Sequence, residues 1–222
     1  MRIVVCVKQV NREINPFDAC ALECALSIEN AEVVVISMGR PQVNDMLKSL
    51  TRLGIERAIL LTDNAFAGAD TLATSYVLSL AIRELEPDLV ICGRQSVDGD
   101  TAQVGPCLSQ LLGFSLITNV MKIHDIGDRI SCTSRFGEES QELPTLITVE
   151  RINTLRFPSI RSKTKEVEIW TADDIGADRN RCGLKGSPTR VLKTYESNAG
   201  KRKCKFITPD ELLSVIEDSK NR

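Results

Sequence analysis

Aromatic residues are scarce in this chain, making up 4% of 222 residues, with a single tryptophan at Trp170. Histidine is scarcer still: His124 stands alone. One imidazole leaves no room for a multi-histidine metal centre, and its place beside the turn Asp125-Ile126-Gly127-Asp128 reads as a surface position rather than a general base. Long hydrophobic runs are missing too. The apolar stretches at residues 4–7 and 89–92 are strand-sized, far below the ~20 residues that a helix needs to cross a bilayer. Met1-Arg2-Ile3-Val4-Val5-Cys6-Val7 runs straight into Lys8 with no small-residue cleavage site, so it is expected to be structure and not an export signal. No glycine-serine phosphate loop follows this first apolar segment, which disfavours an ATP-cleaving ligase or pyrophosphatase.

Cysteine, by contrast, is plentiful. The eight cysteines, Cys6, Cys20, Cys24, Cys92, Cys107, Cys132, Cys182 and Cys204, are scattered and do not form the close pairs of zinc or iron-sulfur sites. With 42% apolar residues the chain has core enough to need no disulfide staples, so a reduced, cytoplasmic protein is expected. Cys20 and Cys24 lie four apart on a predicted helix with no further ligand in sight, and Cys6 and Cys92 fall inside predicted strands, where a cysteine behaves as a small hydrophobe. The net charge of −2 conceals an uneven distribution: from residue 177 on there are 11 Lys/Arg against 6 Asp/Glu, so this arm carries +5 and the preceding body −7. Without interleaved aromatics the arm does not suit nucleic acid, and it fits an acidic protein surface better.

Periodicity organises the rest. Residues 2–10 predict a buried strand; Asn15-Pro16-Phe17-Asp18 supplies a turn and a helix start, followed by Ala21, Leu22, Ala25, Leu26 and Ile28 at helical spacing. Residues 32–38 predict the second strand, 42–53 a helix ended by Gly54, and 58–61 the third strand. Asp70 or Thr71 can cap a helix to about residue 85, with Leu72, Tyr76, Leu80 and Ile82 on its apolar face and Pro87 beyond it. Residues 89–92 predict the fourth strand, and 107–112 a short helix stopped by Gly113. This alternation predicts an α/β fold, a doubly wound and mostly parallel sheet whose ligands sit beyond the carboxyl ends of its strands.

After Phe114 the pattern changes to strands at 116–123, 129–134 and 145–149, read as a hairpin that extends the same sheet. From residue 160 the sequence turns polar and basic apart from Glu168-Ile169-Trp170, and is expected to lie on another chain. Thr208-Pro209-Asp210-Glu211 has the form of a capping box, leading into a helix with Leu212, Leu213 and Ile216 as a docking stripe. The expected division is a body over residues 1–176 and an extended arm over 177–222.

The most informative stretch follows the fourth strand: Gly93-Arg94-Gln95-Ser96-Val97-Asp98-Gly99-Asp100-Thr101-Ala102-Gln103-Val104-Gly105-Pro106. Small residues there let a ligand approach the backbone, and free amides at the next helix start can bind phosphate. Asp98 and Asp100 would repel a phosphate, so they are assigned to helix capping or to ribose hydroxyls, leaving phosphate to amides, Ser96 and Thr101. The composition reads equally as an ordinary strand-to-helix loop. Lys8 likewise reads as facing either a phosphate or solvent at the sheet edge.

Residues 95–105 resemble the nucleotide loop of the electron-transfer flavoprotein β subunit, in wording close to the flavin-bifurcating branch. Val5-Cys6-Val7-Lys8-Gln9-Val10, Asn15-Pro16-Phe17-Asp18, Ile36-Ser37-Met38-Gly39, Gly68-Ala69-Asp70-Thr71-Leu72-Ala73-Thr74, Leu143-Pro144-Thr145 and Gly183-Leu184-Lys185-Gly186-Ser187-Pro188-Thr189 are similar to family segments in the same order. The resemblance implies a Rossmann-like, adenine-nucleotide-binding fold. It implies nucleotide contacts, mostly through backbone groups, at Cys6, Asn15, Pro16, Phe17, Asp18, Met38, Gly39 and residues 93–104. In the ordinary branch AMP occupies that site structurally; in the bifurcating branch a second FAD takes hydride from NADH, with Asp70, Thr71 and Thr74 beside it. A capped helix start without a ligand explains those last three residues as well. Implied partners are a flavin-carrying α subunit and a flavin dehydrogenase or reductase, with no nucleic acid and no membrane.

Two departures stand out. Between Val10 and Asn15 only Asn11-Arg12-Glu13-Ile14 remains, where relatives carry a longer excursion, so part of the pocket rim is expected to be missing. Residues 153–165 resemble the family's dehydrogenase-docking loop, shortened before Lys165, with Leu155 or Ile160 as candidate anchors. The leading expectation is an electron-carrying subunit with no catalytic side chain of its own, since a flavin supplies the chemistry. The competing expectation is a non-redox scaffold or stress-protein-like sensor that holds AMP or ATP.

Overall fold

The computed structural model describes residues 1–193 and 207–220. Its contacts divide the chain into a compact unit, Met1–Arg190, and a second unit, Val191–Arg222.

The first unit is built on a nine-stranded sheet. Its parallel part takes β1 (Arg2–Cys6), β4 (Glu32–Met38), β5 (Arg57–Leu61), β6 (Leu89–Gly93) and β10 (Thr145–Val149), with the first half of β7 (Ser115–Ile126). These strands are rich in Val and Ile because both faces are covered: Ile3, Val4 and Val5 are all fully buried. On one face α1 (Pro16–Leu26) and α2 (Val43–Leu50) pack on Ile3, Val5, Val35 and Leu60. On the other, α3 (Thr71–Leu85) and α4 (Val104–Leu112) pack on Val4, Ile36, Ile59 and Val90. Gly54 and Gly113 end their helical segments at φ 93° and 74°, the left-handed conformation in which a side chain is strained. The winding reverses between β1 and β6, which are direct neighbours. Among the described residues no helix is long and apolar enough to cross a membrane.

The structure departs from the sequence reading in several places. The first strand ends at Cys6 and not at residue 10; β2 (Gln9–Val10) then pairs antiparallel with β3 (Glu13–Ile14). Asn11 and Arg12, both at positive φ (50° and 70°), make the tight turn whose twist suits a two-residue hairpin, so the short excursion keeps a hairpin in its smallest form. β7 outruns its expected bounds and bends at Asn119, φ 56°, where its register with β10 shifts. It continues antiparallel to β8 (Arg129–Ser134), and β8 to the unexpected edge strand β9 (Gly137–Glu142), whose charges hide any alternating pattern while discouraging edge-to-edge pairing. Leu72, expected on the apolar face of α3, is instead half-exposed.

The largest correction concerns the stretch after residue 160. Up to Arg190 it belongs to the same compact unit as the body. β11 (Glu168–Trp170) adds in parallel to β5, and Ala172, Ile175 and Cys182 are buried beside Tyr76 and Val77 of α3. Small residues make this possible. At Gly183, φ 51°, a β-carbon would lie 2.3 Å from the Ala65 carbonyl oxygen, so the chain can pass there only as glycine, opening the short α5 (Gly183–Gly186).

In the second unit the Thr208 and Glu211 capping box forms as the sequence suggests, with the Thr208 amide donating to Glu211 at 2.9 Å. It leads into α6 (Leu212–Lys220), where Leu212, Leu213 and Ile216 are exposed.

Candidate functional site

The carboxyl ends of β1 and β6 face the position where ligands bind in open parallel sheets, outside the point of reversed winding. Gly93, the last residue of β6, touches the first turn of α1: a β-carbon there would lie 2.3 Å from Asp18 Oδ1 and 2.7 Å from the Phe17 carbonyl carbon. Pro16 opens α1 with its φ already suited to a helix, and Asn15 occupies the cap position. Yet the Asn15 side chain does not cap its own helix. Fully buried, it turns to the loop after β6, donating from Nδ2 to the Gln95 carbonyl at 2.8 Å and accepting from the Val97 amide at 3.2 Å.

Asp18 is buried beside it and accepts from the Lys8 amide at 2.8 Å. Burial pushes its carboxyl up to about 7, despite hydrogen bonds from Asn15, Lys8 and Gly93 that pull the other way. Arg94 leaves the crest sideways: its guanidinium lies 5.1 Å over the Phe17 ring and 3.4 Å from Glu150, which also takes Arg135 at 3.3 Å. Its Nε is buried without a partner among the described residues.

The loop itself is held from several sides. Lys8 Nζ meets both carboxylate oxygens of Asp98 at 2.8 Å, and Gln95 donates to Asp100. Burial alone would raise the Asp98 carboxyl, but hydrogen bonds from Lys8 and Ser96 outweigh it and hold it below the usual carboxylate range. Neither aspartate caps α4, contrary to one of the two roles expected for them. The cap position belongs to Gln103, whose side chain makes no cap bond; Pro106 has no amide hydrogen and the Cys107 amide donates to the Gln103 carbonyl at 3.0 Å, which leaves the Val104 and Gly105 amides without an intrahelical partner. Asp100 and Ala102 both sit at positive φ, 52° and 54°. For an alanine this conformation costs about 1–2 kcal/mol, a strain that tends to gather at functional loops. Gly99 is open, with only Ser96 Oγ near its missing β-carbon at 3.3 Å. The Gln103 amide donates to the Thr101 hydroxyl at 3.4 Å.

α3 starts beside this loop, with the Thr71 hydroxyl 3.4 Å from that of Thr101. Asp70 is the cap, accepting from the Ala73 amide at 3.0 Å, while its second oxygen takes the Thr189 amide at 3.0 Å and hydroxyl at 2.7 Å. Its own amide donates to Ser187 at 2.8 Å. Asp70 is thus committed to the helix start and to the chain that packs over it, while Thr74 is half-buried one turn on. On the far side of β1, Met38 is half-buried and Gly39 donates to the Leu61 carbonyl at 3.0 Å. Cys6 lies in register with Cys92, both buried.

The structure therefore gathers Cys6, Asn15, Pro16, Phe17, Asp18, Met38, Gly39 and residues 93–104 at or beside the carboxyl ends of β1, β4 and β6, with Thr71 of α3 in contact with the loop. Sequence reasoning passed over Ser37, which is 1% exposed and whose hydroxyl has no partner among the described residues. Its signal was a polar residue inside an apolar strand at the crest. It also passed over Glu150, the anchor of Arg94. The Val104 and Gly105 amides at the start of α4, a buried β4 hydroxyl with no partner among the described residues and a glycine-tight floor at Gly93 suit a ligand bearing phosphate and hydroxyl groups. A cavity of about 790 Å³ lies elsewhere, between the end of α1 at Ser27 and Ile28 and the bent part of β7 at Ile123 and Ile126. It has no glycine turn and no helix start, so its size does not make it the nucleotide site.

Comparison with known proteins shows which family the chain belongs to. The family model described as the electron transfer flavoprotein domain matches residues 3–175. The chain is 42% identical, over 226 residues and 87% of each chain, to a protein of Clostridium acetobutylicum named electron transfer flavoprotein subunit beta. It is 38% identical over 248 residues to Protein FixA of Azorhizobium caulinodans, covering 93% of this chain and 88% of that one. It is 38% identical over 234 residues to the caffeyl-CoA reductase-Etf complex subunit CarD of Acetobacterium woodii, covering 90% and 89%. These alignments run longer than the chain itself, so the relatives carry segments that have no counterpart here. The chain belongs to the electron-transfer flavoprotein family, among its β-subunit and FixA members.

Proposed function

We propose that the crest between β1 and β6 holds the adenosine and phosphate groups of FAD, and that this chain exchanges electrons with a flavin-carrying α subunit. The observation that carries the reading is convergence. Segments far apart in sequence, around Cys6, Asn15, Met38, Thr71 and residues 93–104, meet at the carboxyl ends of the strands, beside the uncapped start of α4 and the buried Ser37 hydroxyl.

A flavin bound there supplies the hydride and electron chemistry, and the chain's own residues bind and orient it. The start of α4 offers amides to phosphate oxygens, Ser96 and Thr101 offer hydroxyls, and Asn15 fixes the loop that carries them. We assign Asp100 to a ribose hydroxyl. The likeness of residues 68–74 to the bifurcating branch favours FAD over AMP, with NADH as the hydride donor and Thr71 and Thr74 beside the flavin.

A flavin dehydrogenase or reductase is the proposed electron partner, meeting residues 153–165. Leu155 packs against the body's own core, whereas Phe157 and Ile160 are 93% and 98% exposed, so these two serve as the anchors. The basic arm and the apolar face of α6 are proposed to dock on the α subunit, in the cytoplasm.

Co-expression with an α subunit, followed by extraction of bound nucleotides, tests the reading. Two FAD per heterodimer are expected. One FAD with one AMP would retire the FAD assignment and keep the nucleotide site; a colourless, self-sufficient oligomer holding AMP or ATP alone would favour the scaffold reading.

A further inference from the structure

We infer that Lys8 is the residue that recognises ligand phosphate at this crest, and that Asp98 competes with the ligand for it, so that the site discriminates phosphorylated nucleotides from bare nucleosides. The inference rests on the nucleotide reading above and adds to it a charge-exchange step that sets selectivity.

The position of Lys8 is fixed while its charge is not. Its amide donates to buried Asp18 at 2.8 Å and its carbonyl accepts from the Asn15 amide at 2.8 Å, so the backbone is pinned at the end of β1. The side chain then reaches from β1 to the loop after β6, placing Nζ 2.8 Å from both oxygens of Asp98. The two side chains remain 47% and 44% exposed. An ion pair so open to water is weak. The pyrophosphate of FAD, with two charges and four free oxygens, or the terminal phosphate of AMP, carries more charge and more acceptors than a single carboxylate and displaces it from such a partner readily.

The loop does not need this pair to keep its shape. Asn15 already holds Gln95 and Val97, the Arg94 amide is bonded to the Val149 carbonyl at 2.9 Å, Gln95 holds Asp100, and Thr71 meets Thr101. The pair does alter the charge that an incoming anion meets. Asp18, Asp70, Asp98 and Asp100 all belong to the crest, and the other cation of the loop, Arg94, is engaged by Glu150 and stacked on Phe17. Lys8, at the end of β1, is then placed to turn to a phosphate lying between β1 and the uncapped start of α4. In the absence of phosphate, Asp98 occupies it. A nucleoside without phosphate has nothing to offer in exchange.

The test is equilibrium dialysis of the αβ complex, freed of exchangeable nucleotide, with labelled adenosine and labelled AMP as probes. Lys8→Met is expected to weaken AMP about tenfold or more, to leave adenosine within twofold and to flatten the salt dependence of AMP binding. Asp98→Asn is expected to tighten AMP several-fold without changing adenosine, and Lys8→Arg to retain the preference for AMP. Equal weakening of both probes by Lys8→Met, or weaker AMP binding in Asp98→Asn, overturns the inference and leaves the nucleotide site standing. A wild-type complex that holds neither probe nor FAD in the β subunit overturns both.

Discussion

Gly93 and Asp18 meet where the last residue of β6 touches the first turn of α1, so closely that a β-carbon on Gly93 would fall 2.3 Å from the aspartate oxygen and 2.8 Å from the Asp18 amide nitrogen. The floor of the candidate site is therefore backbone packed on backbone. Moving the Asp18 carboxylate aside does not relieve Gly93→Ala, because the Phe17 carbonyl carbon at 2.7 Å and the Asp18 amide nitrogen at 2.8 Å are backbone; the substitution must separate β6 from α1. An overpacking cost of about 3 kcal/mol is expected, with loss of bound nucleotide. Gly127→Ala, in a turn with nothing within 4 Å, serves as the control and should stay within about 0.5 kcal/mol of wild type. Urea denaturation of both variants checks this; a Gly93→Ala chain as stable as the control would contradict the packing.

Asp18 makes stability depend on pH in a direction opposite to most carboxylates. Its folded value of about 7 lies above the ordinary 3.8, so the folded chain binds the extra proton between those values and this contribution to stability is lost as pH rises through 7. Facing it are the Lys8 amide and ammonium, Asn15, the Gly93 amide and the Cys92 thiol. Asp18→Asn removes the titration at some cost in hydrogen bonding. Between pH 5 and 8 the stability difference between wild type and this variant should shrink by on the order of 3 kcal/mol. Parallel urea curves at the two pH values measure it, and a constant difference would show that Asp18 does not titrate in this window.

The loop over residues 153–165 is stapled at both ends with its tip exposed. Cys20 donates to the Asn153 carbonyl at 2.8 Å, Arg156 grips Glu23 through Nε at 3.0 Å and Nη2 at 2.8 Å, and Arg52 reaches the Ser159 and Ser162 carbonyls at 3.3 Å. Burial alone would raise the Glu23 carboxyl, but the Arg156 hydrogen bonds outweigh it and hold it below its usual range. Replacing Phe157 and Ile160 together by serine should leave stability within about 0.5 kcal/mol, since neither side chain is buried. Electron delivery to the partner dehydrogenase should show a KM about tenfold higher with little change in kcat. An unchanged KM would remove this loop from the docking surface.

Much of this architecture was legible without coordinates. The strand at residues 32–38 coincides with β4 and the helix after Asp70 with α3, because a continuous Val/Ile run and a side-chain cap are properties of neighbouring residues. β9 was not legible, because a charged edge strand carries no apolar alternation. Nor was the packing of residues 163–190, where buried alanine, cysteine and glycine leave no hydrophobic run to read. Asn15 looked like a helix cap, which its position permits, but its side chain serves a loop 80 residues away.

The sequence by itself determined the strands and helices of the parallel core, where helices stop, and which residues resemble the family's nucleotide contacts, because propensity, capping and glycine's access to positive φ act over a few residues. Only the tertiary structure decided that Asp98 answers Lys8, that Thr189 answers Asp70 and that Gly93 admits nothing between itself and Asp18. Those pairings depend on which strand lies beside which and in what register. Sheet order follows from burying both faces of the whole sheet at once, so no local stretch of residues carries it.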